Sequence, residues 1–145
     1  MKTSLPLDSE ARKTYPLFSG CKAYFPAALA GVAHHSFISN EKHNKGQPLH
    51  HSRGKSNDHQ DCIERHNSDL GDLLAALKRG EPVNIGDILY EANAMAWRAL
   101  ALSQELHEEH AGCPLAPAAR LPLAPPPPPV EAFGVPEFLR PKKQV

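Results

Sequence analysis

The sequence predicts an all-α protein: a small bundle of three to four helices with a proline-rich, largely disordered C-terminal tail. Apolar residues recur at helical spacing in three separate segments. No segment shows the alternation of apolar and polar residues that marks a strand. Ten of the fifteen prolines lie after Ala111, where neither a long helix nor a central strand can form.

These patterns divide the chain into three parts. Residues 1–20 show no sustained periodicity and are interpreted as an arm, with contact points at Leu17 and Phe18. Residues 21–110 hold the helical segments and form the domain. Residues 111–145 form the tail, which includes the run Pro125–Pro129. A folded unit of this size has room for one core.

The composition excludes several classes of protein. The formal net charge is zero, which argues against a protein that binds polymeric nucleic acid. No apolar run is long enough to span a membrane, and the N-terminus lacks the apolar segment of a signal peptide. The three cysteines are widely spaced and suit reduced thiols better than a disulfide framework. We therefore expect a soluble protein of the cytoplasm.

The first helix is predicted over residues 26–39, because proline is well suited to the first turn of a helix. Ala27, Ala30 and Gly31 give it a small-residue face that would allow close packing. If the helix continues to Glu41, that carboxylate and His34 point to the same side.

A loop is predicted over residues 42–55, where glycine and proline interrupt any apolar repeat. It carries four cations, and local positive charge in a neutral protein suggests a small anionic ligand. The alternative is an ordinary solvated loop. The four cations are Lys42, Lys45, Arg53 and Lys55.

The second helix is predicted from Ser56 or Asn57, either of which could cap it, to Lys78 and Arg79, with Gly80 as its stop. One arc is apolar and should pack inward. His66 lies within this arc and is interpreted first as a satisfied core histidine. The apolar arc comprises Cys62, Ile63, Leu70, Leu73, Leu74 and Leu77.

A second stripe on the same helix is acidic. Like charges at this spacing repel one another, so either the stripe is a solvated face or a cation neutralises it. Carboxylates are the ligands that Mg²⁺ prefers, and Asp58 and Asp61 lie one turn apart, so both can reach one ion. The stripe comprises Asp58, Asp61, Arg65, Asp69 and Asp72, with Glu64 beside it.

The third helix is predicted over residues 85–107 and is apolar over most of its surface. Such a helix lies at the centre of a bundle or at a subunit interface, so we expect a homo-oligomer, either a dimer or a tetramer. Glu91 needs a cation, either Arg98 or a metal ion. Trp97 is interpreted as a core or interface residue, or as a platform that stacks on a nucleobase.

One long motif resembles a known family. The run NEKHNKGQPLHHSRGKSNDHQDCIERH, at residues 40–66, carries five of the nine histidines, and AWRALALSQEL follows at residues 96–106. Together they resemble the phage dATP/dGTP diphosphohydrolases (MazZ) of the MazG-like all-α nucleoside triphosphate pyrophosphohydrolases. The resemblance covers roughly Leu17 to His107.

The resemblance implies an oligomeric helical bundle, a divalent metal, and cleavage of a purine deoxynucleoside triphosphate to the monophosphate and pyrophosphate. In such phages the activity serves synthesis of diaminopurine (2-aminoadenine) DNA. The wider superfamily holds its metals on an ExxE pair and an ExxD pair. This chain departs from the first pair, because Ile38 and Asn44 flank Glu41 at three residues. Asp58 with Asp61, or Asp61 with Glu64, could match the second.

The hydrolase hypothesis assigns roles to individual residues. The metal is Mg²⁺, with Mn²⁺ or Co²⁺ possible, and Glu64 accepts the proton of the attacking water. Trp97 stacks on the base. The metal ligands are Glu41, Asp58, Asp61 and Glu91, and the triphosphate partners are Lys42, Lys45, Lys55 and Arg65.

Two other hypotheses stay open at this point. The chain could be a non-catalytic helical interaction protein whose run Pro125–Pro129 binds a partner with a groove for polyproline. It could also be a zinc protein that uses its histidines, although the adjacent His50 and His51 cannot easily chelate one ion together.

Overall fold

The computed structural model describes residues 4–49, 53 and 57–120. Within these ranges the chain is helical, without strands, which confirms the all-α prediction. A π-helical turn at Phe18–Lys22 separates the first two helices. The helices are α1 (Ser9–Lys13), α2 (Pro26–His43), α3 (His59–Lys78), α4 (Ile85–His110) and α5 (Pro117–Arg120).

The helix ends follow local sequence signals. Pro26 opens α2, as predicted, and α2 continues to His43, so Glu41 is helical. Gly80 has a φ of 78° and follows the end of α3, also as predicted. The predicted N-cap of α3 was wrong, because Asp58 is the N-cap rather than Ser56 or Asn57.

The helix α4 organises the bundle, because it packs along α3 and also contacts α2. The contact with α2 is close at Gly31, where an added Cβ would lie 2.6 Å from Asn93 Oδ1. This confirms the predicted close approach at Gly31. Ala27 and Ala30 are exposed and contribute little to it.

The core is smaller than the sequence suggested. Among the described residues the buried hydrophobic side chains are those of Cys62, Ala94 and Ala101. Leu74 and Leu77, predicted to pack inward from α3, are exposed. The apolar arc of α3 is therefore only partly covered within one chain, although α4 lies between α2 and α3 and carries the buried Ala94 and Ala101.

The N-terminal arm contains more structure than its sequence indicated. Asp8 caps α1 by accepting a hydrogen bond from the Ala11 amide at 2.8 Å. The predicted contact points Leu17 and Phe18 are exposed. Across the described helices, none combines the length and the apolarity needed to cross a membrane.

Candidate functional site

The acidic stripe of α3 lines an open surface depression. Its walls include three carboxylates and one guanidinium, arranged over two helical turns and accessible from solvent. Carboxylate oxygens are ligands that a cation such as Mg²⁺ accepts, and a guanidinium can pair with an anion. The lining residues are Asp61, Glu64, Arg65, Ser68 and Asp69.

Asp58 stands at the start of α3, next to this depression. Its side chain does not cap the helix. Instead, Asp58 Oδ2 accepts a hydrogen bond from Arg65 Nη2 at 2.7 Å. This hydrogen bond raises the pKa of Arg65. The predicted substrate cation Arg65 therefore already has a carboxylate partner.

The other predicted acid and cations of this region lie at the end of α2. Glu41 and Lys42 are on its last turn, Lys45 is in the turn that follows, and all three side chains are exposed. Lys55, the fourth predicted triphosphate partner, lies outside the described residues.

The side-chain amides of Asn40 and Asn44, which the sequence pattern did not single out, shape the turn after α2. Asn40 is buried, and its Nδ2 donates to the Gln47 carbonyl oxygen at 3.0 Å. Asn44 Nδ2 donates to Asn40 Oδ1 at 3.4 Å. Gly46 adopts a φ of 77°, which other residues rarely tolerate. These uncharged motif residues fold the chain back onto α2 and so position Lys45.

Glu91 finds its cation on the neighbouring helix. Its Oε2 lies 2.6 Å from His66 Nδ1, and both side chains are largely buried between α3 and α4. From the sequence we expected Arg98 or a metal ion as the partner of Glu91. We interpreted His66 separately, as a satisfied core histidine. Periodicity within one helix could not reveal this pair, because it joins two helices.

A second buried histidine lies beside this pair. His35 on α2 is 8% exposed, and its ring centroid is 5.0 Å from that of Tyr90 on α4. Its Nε2 lies 3.2 Å from Ser39 Oγ, and its Nδ1 is buried without a hydrogen-bond partner among the described residues. Burial and the nearby His66 lower the pKa of His35, so its neutral form is favoured.

Two further carboxylates of α4 hold the start of α3 and the loop before it. His59 Nε2 lies 3.1 Å from Glu105 Oε2. The Arg53 guanidinium donates to both oxygens of Glu108, with Nη2 and Oε1 3.1 Å apart. This pairing neutralises one of the four cations that the sequence assigned to an anion-binding loop.

The predicted metal ligands are not gathered at one point. Within the described ranges, no three His, Cys, Asp or Glu side chains lie close enough together to hold a metal ion. Asp61 lies in the depression and Asp58 pairs with Arg65, while Glu41 is on a different helix and Glu91 pairs with His66. Any site on these residues would therefore use few protein ligands.

Trp97 is half-buried on α4, with Arg98 Cζ 5.7 Å from the centroid of its ring.

Comparisons with known proteins add no assignment: no model of a protein family, no curated protein and no solved structure matches this chain.

Proposed function

We propose that this chain is a metal-dependent diphosphohydrolase of purine deoxynucleoside triphosphates. It would convert dATP or dGTP to the monophosphate and pyrophosphate, in the cytoplasm of a phage-infected cell, for synthesis of diaminopurine DNA. The observation that carries the proposal is the open acidic depression on α3, lined by Asp61, Glu64 and Asp69. The resemblance of residues 40–66 to the phage diphosphohydrolases supports it.

The donor set suits a hard cation. Mg²⁺ commonly binds through one or two carboxylates and takes its other ligands from water and substrate phosphates. Asp58 and Asp61 would supply such a pair at the start of α3, and Glu41 on α2 would be a further ligand. A bound Mg²⁺, Mn²⁺ or Co²⁺ would polarise phosphate oxygens and make a water molecule more acidic.

The remaining roles follow from side-chain chemistry. Glu64 would accept the proton of the attacking water, and its exposure in the same depression as Asp61 supports this role. Lys42 and Lys45 are exposed and would neutralise phosphate oxygens, with Lys55 as the third lysine. Arg65 would exchange its contact with Asp58 for a phosphate.

Three assignments would need rearrangement. Asp58 and Arg65 would have to give up their 2.7 Å contact with each other. Glu91 could bind a metal only by giving up its 2.6 Å contact with His66. Trp97 is half-buried beside Arg98, so a base would have to stack on its exposed part. The proposal therefore depends chiefly on the acids of α3.

The test is an assay of the purified full chain with each of the four deoxynucleoside triphosphates and Mg²⁺, Mn²⁺ or Co²⁺. Chromatography resolves the products. The proposal expects dAMP or dGMP together with pyrophosphate. Release of tripolyphosphate and a nucleoside would mean that a different bond is attacked and would contradict the proposal. Absence of turnover with every combination of nucleotide and metal would refute it.

A second candidate function is that of a non-catalytic helical interaction protein. The observation that favours it is the exposure of large apolar side chains on α2, α3 and α4, such as Phe37, Leu74 and Leu89. Its sequence-based partner site, Pro125–Pro129, lies outside the described residues. Deleting residues 111–145 separates the candidates, because an enzyme should keep its turnover while an interaction made by the tail should disappear.

A further inference from the structure

Two histidine–glutamate pairs join α3 to α4. His59 Nε2 lies 3.1 Å from Glu105 Oε2, and His66 Nδ1 lies 2.6 Å from Glu91 Oε2. Both histidines belong to the histidine-rich run at residues 40–66. The chemistry proposed above uses neither of them, although they lie on the same turns of α3 as the acidic depression.

The pairs and the depression occupy different sides of this segment. His59 is only 5% exposed, and Cys62, one turn further on, is also buried. His66 continues this inner side after another turn and is largely buried. Between these positions, Asp61 and Glu64 are exposed in the depression. The rotation of α3 about its axis that buries the histidines therefore also turns these acids outwards.

The start of α3 is not capped by its own N-cap residue. A helix begins with four backbone N–H groups that have no partner within the helix, and the side chain of the N-cap residue commonly satisfies one of them. Asp58 makes no such hydrogen bond, and its carboxylate accepts from Arg65 instead. The contact of His59 with Glu105 therefore restrains the first turn of α3 from the side of α4.

Both pairs are directional. A carboxylate accepts a hydrogen bond, so the ring nitrogen that faces it carries the proton, which is Nε2 in His59 and Nδ1 in His66. Hydrogen bonds to a charged acceptor are shorter and stronger than those between neutral groups. Because each pair fixes a distance and a direction, the two together hold the segment between them against rotation about the helix axis.

We propose that His59 and His66 are positioning residues for the acidic depression. Held by the glutamates of α4, they fix the rotation of α3 that keeps Asp61 and Glu64 open to solvent. This proposal rests on the proposed function, because it concerns the geometry of the same metal site. Groups that bind a metal need supporting contacts that hold them to within about 0.5 Å. The two histidines thus act through the acids and contact neither metal nor substrate.

The two ring nitrogens determine the variants for the test. A Gln side chain can place its amide nitrogen near the position of a histidine Nε2, and an Asn side chain can place its own near that of Nδ1. His59→Gln should therefore keep the contact with Glu105, whereas His59→Asn is too short to make it. The order should reverse at the other position, where His66→Asn keeps the contact with Glu91 and His66→Gln loses it.

Binding of Mn²⁺ alone to the full chain is the measurement that needs no activity, and electron paramagnetic resonance counts the free ion. His59→Asn and His66→Gln should weaken this binding by about tenfold, the lower end of the range typical when a metal ligand loses its support. His59→Gln and His66→Asn should bind Mn²⁺ as tightly as the unmodified chain.

Turnover of dATP or dGTP provides a second measurement. The two variants that lose their contacts should lower kcat, because misplacing a reacting group by about 1 Å can cost about 100-fold in rate. They should leave KM nearly unchanged, because Lys42 and Lys45 lie at the end of α2 and would still bind the triphosphate.

Two controls separate positioning from folding. His110→Gln changes an exposed histidine and should alter neither measurement. Glu108→Ala removes a buried carboxylate outside both pairs, so it should lower stability and still bind Mn²⁺ normally. Circular dichroism confirms that each variant is folded. Should one variant fail to fold, the two variants at the other histidine decide.

The outcomes distinguish this proposal from the proposed function. Equal Mn²⁺ affinity and equal kcat in all four histidine variants would overturn the positioning role and leave the hydrolase intact. Weakened Mn²⁺ binding in His59→Asn and His66→Gln, without turnover of any nucleotide, would support the positioning role and refute the hydrolase. An unmodified chain that binds no Mn²⁺, or equal losses in the conservative variants, would overturn the positioning role.

Discussion

His66 Nδ1 lies 2.6 Å from Glu91 Oε2 and joins α3 to α4 inside the bundle. Because the carboxylate accepts, Nδ1 carries the proton and the tautomer of the ring is set by Glu91. The pair lies where the sequence led us to expect a metal ligand or a contact with Arg98. Its chemistry explains how a carboxylate can lie on the inner side of α4.

A double-mutant cycle on this pair should reveal strong coupling. We expect His66→Ala and Glu91→Ala each to lower the free energy of unfolding, because either change leaves the other polar group largely buried without its partner. The coupling energy should be about 1–2 kcal/mol. Urea unfolding of the four proteins measures it, and additive effects would contradict a direct interaction.

His35 gives the stability a dependence on pH. Burial is the largest cause that lowers its pKa, and the charge of His66 on α3 adds to it. From α4, Glu91 raises this pKa and Arg98 lowers it. On its own helix, His35 contacts Ser39.

The direction of the pH effect follows from that shift. The unfolded chain binds a proton at His35 near pH 6.5, whereas the folded chain resists it to lower pH. The stabilising contribution is thus complete above about pH 6.5 and is lost as the pH falls through the lowered pKa. The free energy of unfolding of His35→Gln, measured between pH 7 and pH 5, should fall less than that of the unmodified chain.

The matched control is His110→Gln, because His110 is exposed at the end of α4. Its pH dependence should follow that of the unmodified chain. Identical curves for His35→Gln and the unmodified chain would rule out the assignment.

Glu108 should contribute strongly to the stability of the folded chain. Its side chain is only 6% exposed and accepts hydrogen bonds from Arg53, from Gln104 Nε2 at 2.7 Å and from the Ala116 amide at 2.8 Å. Glu108→Ala should lower the free energy of unfolding by about 2–3 kcal/mol, because hydrogen bonds to a charged group are lost. It should also speed hydrogen exchange at the Ala116 amide.

The adjacent Glu109→Ala is the control for that measurement. Glu109 is exposed, and its replacement should change stability by no more than about 0.5 kcal/mol. Equal effects of the two substitutions would contradict the central role of Glu108.

Asp61→Asn should separate activity from stability. If Asp61 binds a metal directly, turnover of dATP or dGTP should fall by more than the roughly 10–100-fold typical of indirect metal partners. The midpoint of thermal unfolding should stay the same or rise slightly, because the substitution relieves repulsion within the acidic stripe. Initial rates and thermal unfolding of the same preparation provide both readings.

Asp72→Asn is the matched control, since Asp72 continues the stripe but does not line the depression. It should retain turnover, and removal of metal with a chelator should abolish turnover in both the control and the unmodified chain. Full activity in Asp61→Asn would refute the ligand assignment.

Sequence periodicity was sufficient to predict the three long helices, α2, α3 and α4, but neither the short α1 and α5 nor how the helices face one another. Pro26 and Gly80 mark boundaries through backbone constraints that act locally, and both predictions are confirmed. The exposure of Leu89 and the contact of Glu91 with His66 depend on which neighbour each face meets. A helical wheel ranks faces by polarity, and it did not indicate that Glu91 of α4 would meet a histidine of α3 on the same side as the buried Ala94 and Ala101.

In the candidate site too, features within one helix could be predicted, whereas contacts between separate segments could not. The stripe of Asp61, Glu64 and Asp69 could be predicted because it lies on one regular helix. The structural role of Asn40 could not, because its partner is the backbone of Gln47 in an irregular turn. The pairing of Arg53 with Glu108 joins positions far apart in sequence, where periodicity gives no information.

The small buried core has a calorimetric consequence. Exposure of apolar surface dominates the heat-capacity increase on unfolding, which is about 12–15 cal/mol/K per residue for typical domains. Within the described ranges, large apolar side chains such as Leu74, Leu89 and Leu100 are already exposed in the folded chain, so they add little to the apolar surface that melting exposes. The heat-capacity increase per residue should therefore lie below that typical range, and the stability curve should be correspondingly shallower.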